Sequence, residues 1–189
     1  MDMKLPSEQG GDQLSFEPSR DERWLRVLFE KAVAGFYRVY ANSAGWKATP
    51  GKWLNWQVQE QSTQIPDLLP KMKTDIFLEN TKLGRRIIID TKFNEITVKG
   101  RYRDRSFRSG YVYQIYAYTK SQHGSSDDSF LTEGILLHPA FGESCDESVV
   151  IQGDRYRFMT VDLMEDLAVW KRQLLDIIQL GVSDRTEVA

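Results

Sequence analysis

Cysteine and histidine are almost missing from this sequence: Cys145 stands alone, and His123 and His138 are the only histidines among 189 residues. A disulfide framework and an ordinary Cys/His zinc site are thereby excluded. No apolar run approaches the roughly 20 residues that a membrane helix requires. The first twenty residues, MDMKLPSEQGGDQLSFEPSR, have no apolar stretch of the kind that opens a secretory signal. The expectation by elimination is an intracellular, cytoplasmic protein with no membrane partner. Net charge is also small, at −2. What the chain does have is 41% hydrophobic and 12% aromatic residues, enough to bury a core and too much for wholesale disorder. One compact domain is the default at this length.

The small net charge conceals a local asymmetry. Between Lys82 and Arg108 there are nine basic residues against three acids, a local excess of six positive charges that leaves the rest of the chain at −8. A basic tract on an acidic body is the footprint of a polyanion-binding surface. The alternative is a solvated loop that is basic by accident.

Residues 1–19 are polar, carry Gly10-Gly11 and show no periodicity, so they read as a flexible lead-in. From Asp21, Leu25, Leu28, Phe29, Ala32, Val33, Phe36 and Val39 recur at helical spacing, predicting one amphipathic helix to about Tyr40. The stretch from Asn42 to Gly51 reads as a break. Trp53 to Glu60 alternates like a strand, and a loop with Pro66 and Pro70 follows. Lys73–Glu79 and Arg86–Lys92 then form a hairpin signal across Asn80–Arg85. The basic tract up to Arg108 has no apolar period and reads as mobile. Ser109 is placed to cap a helix to about Ser121, before a strand over Glu133–His138. Val149–Gln152 and Tyr156–Val161 suggest a second hairpin through Gly153-Asp154. Asp162 with Glu165 makes a capping-box pattern for a last helix that Gly181 would stop. The expected fold is α/β, a mixed central sheet flanked by helices, with residues 183–189 as a C-terminal tail.

Asp90-Thr91-Lys92 ends a run of three isoleucines. Side chains alternate along a strand, so Asp90 and Lys92 leave the sheet on one face. An acid and a lysine at the end of a buried apolar strand are costly unless they pair or bind something. If the hairpin turn is centred between Lys82 and Leu83, Glu79 faces Arg86 and Asp75 faces Asp90. Directly opposed residues share a face at roughly 4.5–5.5 Å between Cα atoms. Two like charges so placed repel, and a divalent cation makes the arrangement favourable. The alternative is an Asp90–Lys92 or Asp75–Lys73 surface salt bridge with no metal. Two carboxylates and a lysine around Mg²⁺ (or Mn²⁺ as a substitute) suit phosphodiester hydrolysis. Lys99, Arg101, Arg103, Arg105 and Arg108 are then candidates for contacts to DNA phosphates.

The order of Glu30 on a first helix, Asp75, Asp90-x-Lys92 and a later helix with Gln114-x-x-x-Tyr118 resembles the PD-(D/E)xK nuclease superfamily. Leu28-Phe29-Glu30-Lys31, Leu69-Pro70-Lys71-Met72-Lys73-Thr74-Asp75-Ile76 and Ile87-Ile88-Ile89-Asp90-Thr91-Lys92-Phe93 resemble, more narrowly, the McrC nuclease subunits of McrBC modification-dependent restriction systems. The resemblance implies a PD-(D/E)xK restriction-endonuclease-like core over residues 20–182. It implies Asp75 and Asp90 as Mg²⁺ ligands, Lys92 as the catalytic lysine, Glu30 as a further acid, and Gln114 and Tyr118 as residues orienting substrate or the lysine. It also implies a McrB-like AAA+ GTPase partner. The N-terminal region with which such subunits dock onto that motor is not expected in this chain, which reaches the nuclease helix almost directly.

Local alternatives stay open. For Glu30 the alternative is an exposed partner for Arg26, four residues earlier on the helix surface, and Tyr111, Ile115 and Tyr118 are also ordinary core spacing. Pro66-Asp67 is rejected as the ligand motif because it precedes a loop, and His123, His138 and Cys145 gain no role. The leading expectation is a Mg²⁺-dependent DNA endonuclease. The alternatives are a non-catalytic DNA-binding or assembly module of the same fold and a stand-alone repair or RNA nuclease.

Overall fold

The computed structural model describes residues 19–100, 103–124 and 129–179. Of the lead-in expected over residues 1–19, all but Ser19 lies outside the described residues, as do the tail and the Gly181 helix stop. The first helix, α1 (Arg20–Tyr40), starts at a capping box: the Glu22 amide donates to Ser19 Oγ at 3.2 Å, and the Ser19 amide donates to Glu22 Oε2 at 2.8 Å. Phe29, Val33 and Phe36 are buried, as the periodicity predicts, but Leu25, Leu28, Ala32 and Val39 are exposed, and Tyr37, outside the periodic set, is buried. The apolar stripe therefore overhangs the sheet at both ends.

Among the described residues, strands β1 (Lys47–Pro50), β4 (Ile76–Asn80), β5 (Arg85–Thr91), β8 (Leu131–Pro139), β9 (Asp146–Ile151) and β10 (Asp154–Val161) build a six-stranded sheet. Its order is β1-β4-β5-β8-β10-β9. The β5–β8 and β8–β10 pairs are parallel, and the β1–β4, β4–β5 and β10–β9 pairs antiparallel. The crossover from β5 to β8 is made by α3 (Ser109–Lys120). A last helix, α4 (Leu167–Gln179), packs with α1 on one face, and α3 covers the other. The mixed α/β sheet flanked by helices is thus as expected.

Strand alternation sorts the core into two layers. Ile76, Leu78, Ile87, Ile89, Ile135 and Leu137 face α1 and α4, whereas Phe77, Ile88, Leu136, Tyr156 and Phe158 face α3. A central strand buried on both faces reads as a continuous apolar run, which is why Ile87-Ile88-Ile89 is wholly inaccessible. Tyr37 donates to the Leu174 carbonyl at 2.9 Å and ties α1 to α4. On the other face α3 approaches β8 closely at Gly134, where a Cβ would meet Thr119 Oγ1 at 2.7 Å and Ile115 Cγ1 at 2.8 Å. That approach brings the α3 side chains within reach of the end of β5.

Several local expectations are corrected. The break after Asn42 contains a 3-10 turn (Ala41–Ala44) and edge strand β1, whose terminal Pro50 is tolerated because an edge strand needs donors on only one side. Of the strand expected over Trp53–Glu60, only β2 (Trp53–Leu54) forms, because its partner β3 (Met72–Lys73) offers just two residues. The proline loop contains the four-residue helix α2 (Ile65–Leu68). The basic tract is not a featureless loop: β6 (Thr97–Val98) pairs with β7 (Ser106–Phe107), and the Phe107 ring stacks on Phe158 at 4.1 Å. Ser109 is the first helical residue of α3, and Arg108 occupies the cap without a side-chain bond. Asp162 accepts from the Met164 amide at 2.8 Å in an Asx turn instead of a capping box, and α4 begins only at Leu167. No helix of the described residues is long and apolar enough to cross a membrane.

Candidate active site

The β4–β5 ladder has the expected register: Glu79 pairs with Arg86 and Ile76 with Ile89. It stops there, because Asp75 lies at the point where the chain leaves β3 for β4, with its carbonyl accepting from the Gly51 amide at 2.8 Å. Continued by one residue, the register brings Asp75 to Asp90, on the sheet face covered by α3. Asp75 Oδ2 accepts from both the Thr91 amide and the Thr91 hydroxyl, each at 2.7 Å. The middle residue of the Asp-Thr-Lys triplet thus locks the first carboxylate in place.

Asp90 is 1% exposed and its Oδ2 lies 2.7 Å from Lys92 Nζ. This is the ion pair expected as the alternative to a metal site, but it is buried, not on the surface. Oδ2 has no aligned hydrogen bond, so the pair lacks the satisfied lone pairs that make buried ion pairs favourable. Burial pushes the Asp90 carboxyl up to about 6; Lys92 opposes that shift, while Asp75 and Glu30 add to it. Lys92 Nζ also donates to Gln114 Oε1 at 3.1 Å and sits 4.8 Å from the Tyr111 ring centroid. Gln114 Nε2 in turn donates to Tyr118 Oη at 2.8 Å. Residues four apart on α3 thus form a relay that holds the ammonium. Tyr118 packs in the core as well, and burial raises its phenol above the usual range.

Glu30 reaches the same place from α1. Its carboxyl is raised first by burial and then by Asp75, with Lys73, Lys31 and Lys92 opposing. Arg26 is not among these charged neighbours but lines the same cleft, of about 270 Å³, together with Glu30, Asp75, Asp90, Lys92 and Gln114. The cleft brings together all the expected central residues except Tyr118, which stands behind Gln114. Asp67 is exposed on α2 and lines none of it.

Asp75 raises the carboxyls of both Glu30 and Asp90, and the acidic groups lining this cleft offer oxygen donors only, the kind that suits a hard cation. No three His, Cys, Asp or Glu side chains among the described residues form a preassembled cage. That open arrangement fits Mg²⁺, which usually takes one or two carboxylates and keeps water or phosphate oxygens for the rest.

A sequence profile of the McrBC 5-methylcytosine restriction system components matches residues 25–139. The chain belongs to that family. The match runs from α1 to the end of β8 and so contains every residue of the cleft. The McrC-like chain is also 25% identical over 173 residues to the type IV methyl-directed restriction enzyme EcoKMcrBC of Escherichia coli strain K12, an alignment covering 92% of this chain and 48% of that protein. The chain therefore spans about half the length of the curated relative it matches.

The expected phosphate-contacting residues of this McrBC-family chain divide. Lys99, Arg103 and Arg105 are exposed on the β6–β7 hairpin, with Arg105 in a 2.6 Å pair with Glu143. Arg101 lies outside the described residues. Arg108 is half-buried at the α3 cap, and its neighbour Tyr111 lines both the hairpin's pocket and the central cleft. Part of the positive tract is not a surface at all. Arg85 pairs with Glu133 at 3.1 Å and Arg86 with Glu79 at 2.8 Å, both guanidinium groups being buried in the sheet.

Thr91, Asn94 and Tyr111 were missed from sequence. Asn94 Nδ2 donates to Tyr111 Oη at 2.8 Å, and its carbonyl bonds His138 Nδ1 at 2.9 Å. Burial lowers the His138 imidazole to about 4, so it is neutral and props the cleft wall. A usable signal existed only for Tyr111, three residues before Gln114 on the same helix face.

Proposed function

We propose that this chain is the cleavage module of a McrC-type restriction system: a Mg²⁺-dependent DNA endonuclease with a PD-(D/E)xK core, working with a McrB-like AAA+ GTPase. One observation carries the reading. A buried carboxylate, Asp90, is held beside Asp75, Glu30 and Lys92 without an aligned hydrogen bond at Oδ2, an arrangement that costs stability and gains it back when a cation binds. Family membership supports the same reading.

A Mg²⁺ ion would be held here by Asp75 and Asp90, with Glu30 as a further acid lining the same cleft. When bound, Mg²⁺ polarises the scissile phosphate and supplies hydroxide from water at neutral pH. Thr91 keeps the Asp75 carboxylate oriented. Lys92, fixed by Asp90 on one side and Gln114 on the other, presents its ammonium to the cleft, where it orients the attacking water and balances charge on the phosphate. Lys99, Arg103, Arg105 and Arg108 contact backbone phosphates flanking the cut.

Calorimetric titration of Mg²⁺ or Mn²⁺ into wild type and Asp75→Asn tests the site without needing the motor. Wild type binds and the variant does not. Nicking of plasmid DNA, with and without the AAA+ partner, requires Mg²⁺, is blocked by EDTA and is lost in Asp90→Ala and Lys92→Ala. Equal metal binding by wild type and Asp75→Asn, or unchanged cleavage by those two alanine variants, overturns the assignment.

A further inference from the structure

Next to Asp75 in the chain stands a small arm that the mechanism above does not use. Strand β2 pairs with β3, Trp53 opposite Lys73 and Leu54 opposite Met72. The pairing is extended towards the active site by the Thr74 amide donating to the Lys52 carbonyl at 2.9 Å and the Gly51 amide donating to the Asp75 carbonyl at 2.8 Å. The arm is therefore hydrogen-bonded to the backbone of a proposed metal ligand, and its position relative to the cleft is fixed.

Its outer surface is aromatic and basic. The Trp53 ring is 59% exposed, with Lys73 Nζ 5.4 Å from its centroid. The Trp56 indole is pinned by its Nε1 donating to the Pro70 carbonyl at 2.7 Å, and it remains 38% exposed. The Lys73 stem lies across Gly51, whose φ of +63° is one that other residues rarely adopt; a Cβ there would sit 3.1 Å from Lys73 Cε. Residues 47–58 and 69–74 together carry four lysines and no acid. Lys73 also opposes the upward shift of the Glu30 carboxyl.

An exposed indole left open next to an ammonium is a stacking platform with a phosphate hook. Trp53 beside Lys73, with the partly exposed Trp56 following it on an arm that carries lysines and no acid, has the charge and shape complementarity of a nucleic-acid strand. We infer that the β2–β3 arm is a second DNA-contacting element, in which Trp53 stacks on an unpaired or displaced base and Lys73 engages the adjoining phosphate, holding the strand against the Asp75–Asp90 cleft. The inference rests on the nuclease reading for its choice of DNA.

Binding of a fluorescein-labelled single-stranded oligonucleotide and of its duplex, followed by anisotropy in EDTA over a salt series, tests the arm. Trp53→Ala weakens single-strand binding by about fivefold or more with little change in salt slope, and Trp53→Phe restores most of it. Lys73→Gln lowers the slope by about one. Quenching of tryptophan fluorescence on binding is smaller in Trp53→Ala. If Trp53→Ala binds like wild type while Arg103→Glu is impaired, the arm is overturned alone, and its surface is left to a protein partner. If wild type binds no DNA, the arm falls together with the nuclease reading.

Discussion

Replacing Asp90 by asparagine makes the metal-free protein more stable, although the residue removed lies at the centre of the proposed active site. The Asp90 carboxyl is pushed up to about 6 from an ordinary 3.8. Between those values the folded chain binds a proton that the unfolded chain has already released. Stability therefore falls as pH rises through this window, by up to about 1.4 kcal/mol per pH unit. Above pH 6 the ionised group costs about 3 kcal/mol relative to a neutral isostere. The attraction of Lys92 is already included in that balance, since the buried ammonium lies 2.7 Å away and burial still dominates.

Thermal unfolding of wild type and Asp90→Asn in EDTA measures this directly. At pH 8 the variant unfolds roughly 6–12 °C higher, for a chain of this size. The advantage shrinks below pH 6 and vanishes near pH 4, where both side chains are neutral. Mg²⁺ at a hundred times its dissociation constant then stabilises wild type by about 2.7 kcal/mol and leaves the variant unchanged. A variant less stable than wild type at pH 8 in EDTA would refute the reasoning, because Asp90–Lys92 would then be a structural ion pair.

Three further outcomes follow from the same geometry. Gln114→Leu removes one anchor of Lys92 and lowers the nicking rate by about tenfold, the value of a hydrogen bond to a charged group, with Mg²⁺ affinity unchanged by calorimetry; an unaltered rate removes Gln114 from the relay. Gly134→Ala forces a methyl into contacts of 2.7 and 2.8 Å with Thr119 and Ile115 and costs about 1–3 kcal/mol of stability, read by urea denaturation; an unshifted midpoint contradicts the close approach of α3. Combined Lys99→Glu and Arg103→Glu weakens DNA binding and makes its salt dependence shallower, and an unchanged slope leaves these side chains as solvent-facing only.

Legibility from sequence depended on whether each feature was local. The β4–β5 register follows from a turn centred between Lys82 and Leu83, which the ladder bears out in the Glu79–Arg86 pair, and side-chain alternation then puts Asp75 and Asp90 on one face. Length failed for β2, where alternation over Trp53–Glu60 suggested a full strand but pairing needed a neighbour that ends at Lys73. The β6–β7 pair was hidden because two strands of two residues have no measurable period, and what anchors them is the contact of Phe107 with Phe158, 51 positions away in the chain. The role of Thr91 was invisible for a related reason: its hydroxyl and amide matter only once Asp75 is folded beside them.

Charge counting failed in a more instructive way. Arg85 and Arg86 contributed to the apparent polyanion footprint, yet both are buried against Glu133 and Glu79. A net local charge sums residues without regard to which of them are already neutralised across the sheet, and the partner of Arg85 is 48 residues distant. Removing these two does not abolish the basic surface but relocates it. The exposed cations that remain lie on two separate elements, the β6–β7 hairpin with Lys99 and Arg103, and the β2–β3 arm with Lys71 and Lys73. The second element lies outside the tract that counting selects, because only folding pairs Trp53 with Lys73 and ties Gly51 to the carbonyl of Asp75. A strand held by both elements presents its phosphate to Lys92 in a way that one basic loop cannot, so simultaneous loss of both elements weakens binding by more than either alone.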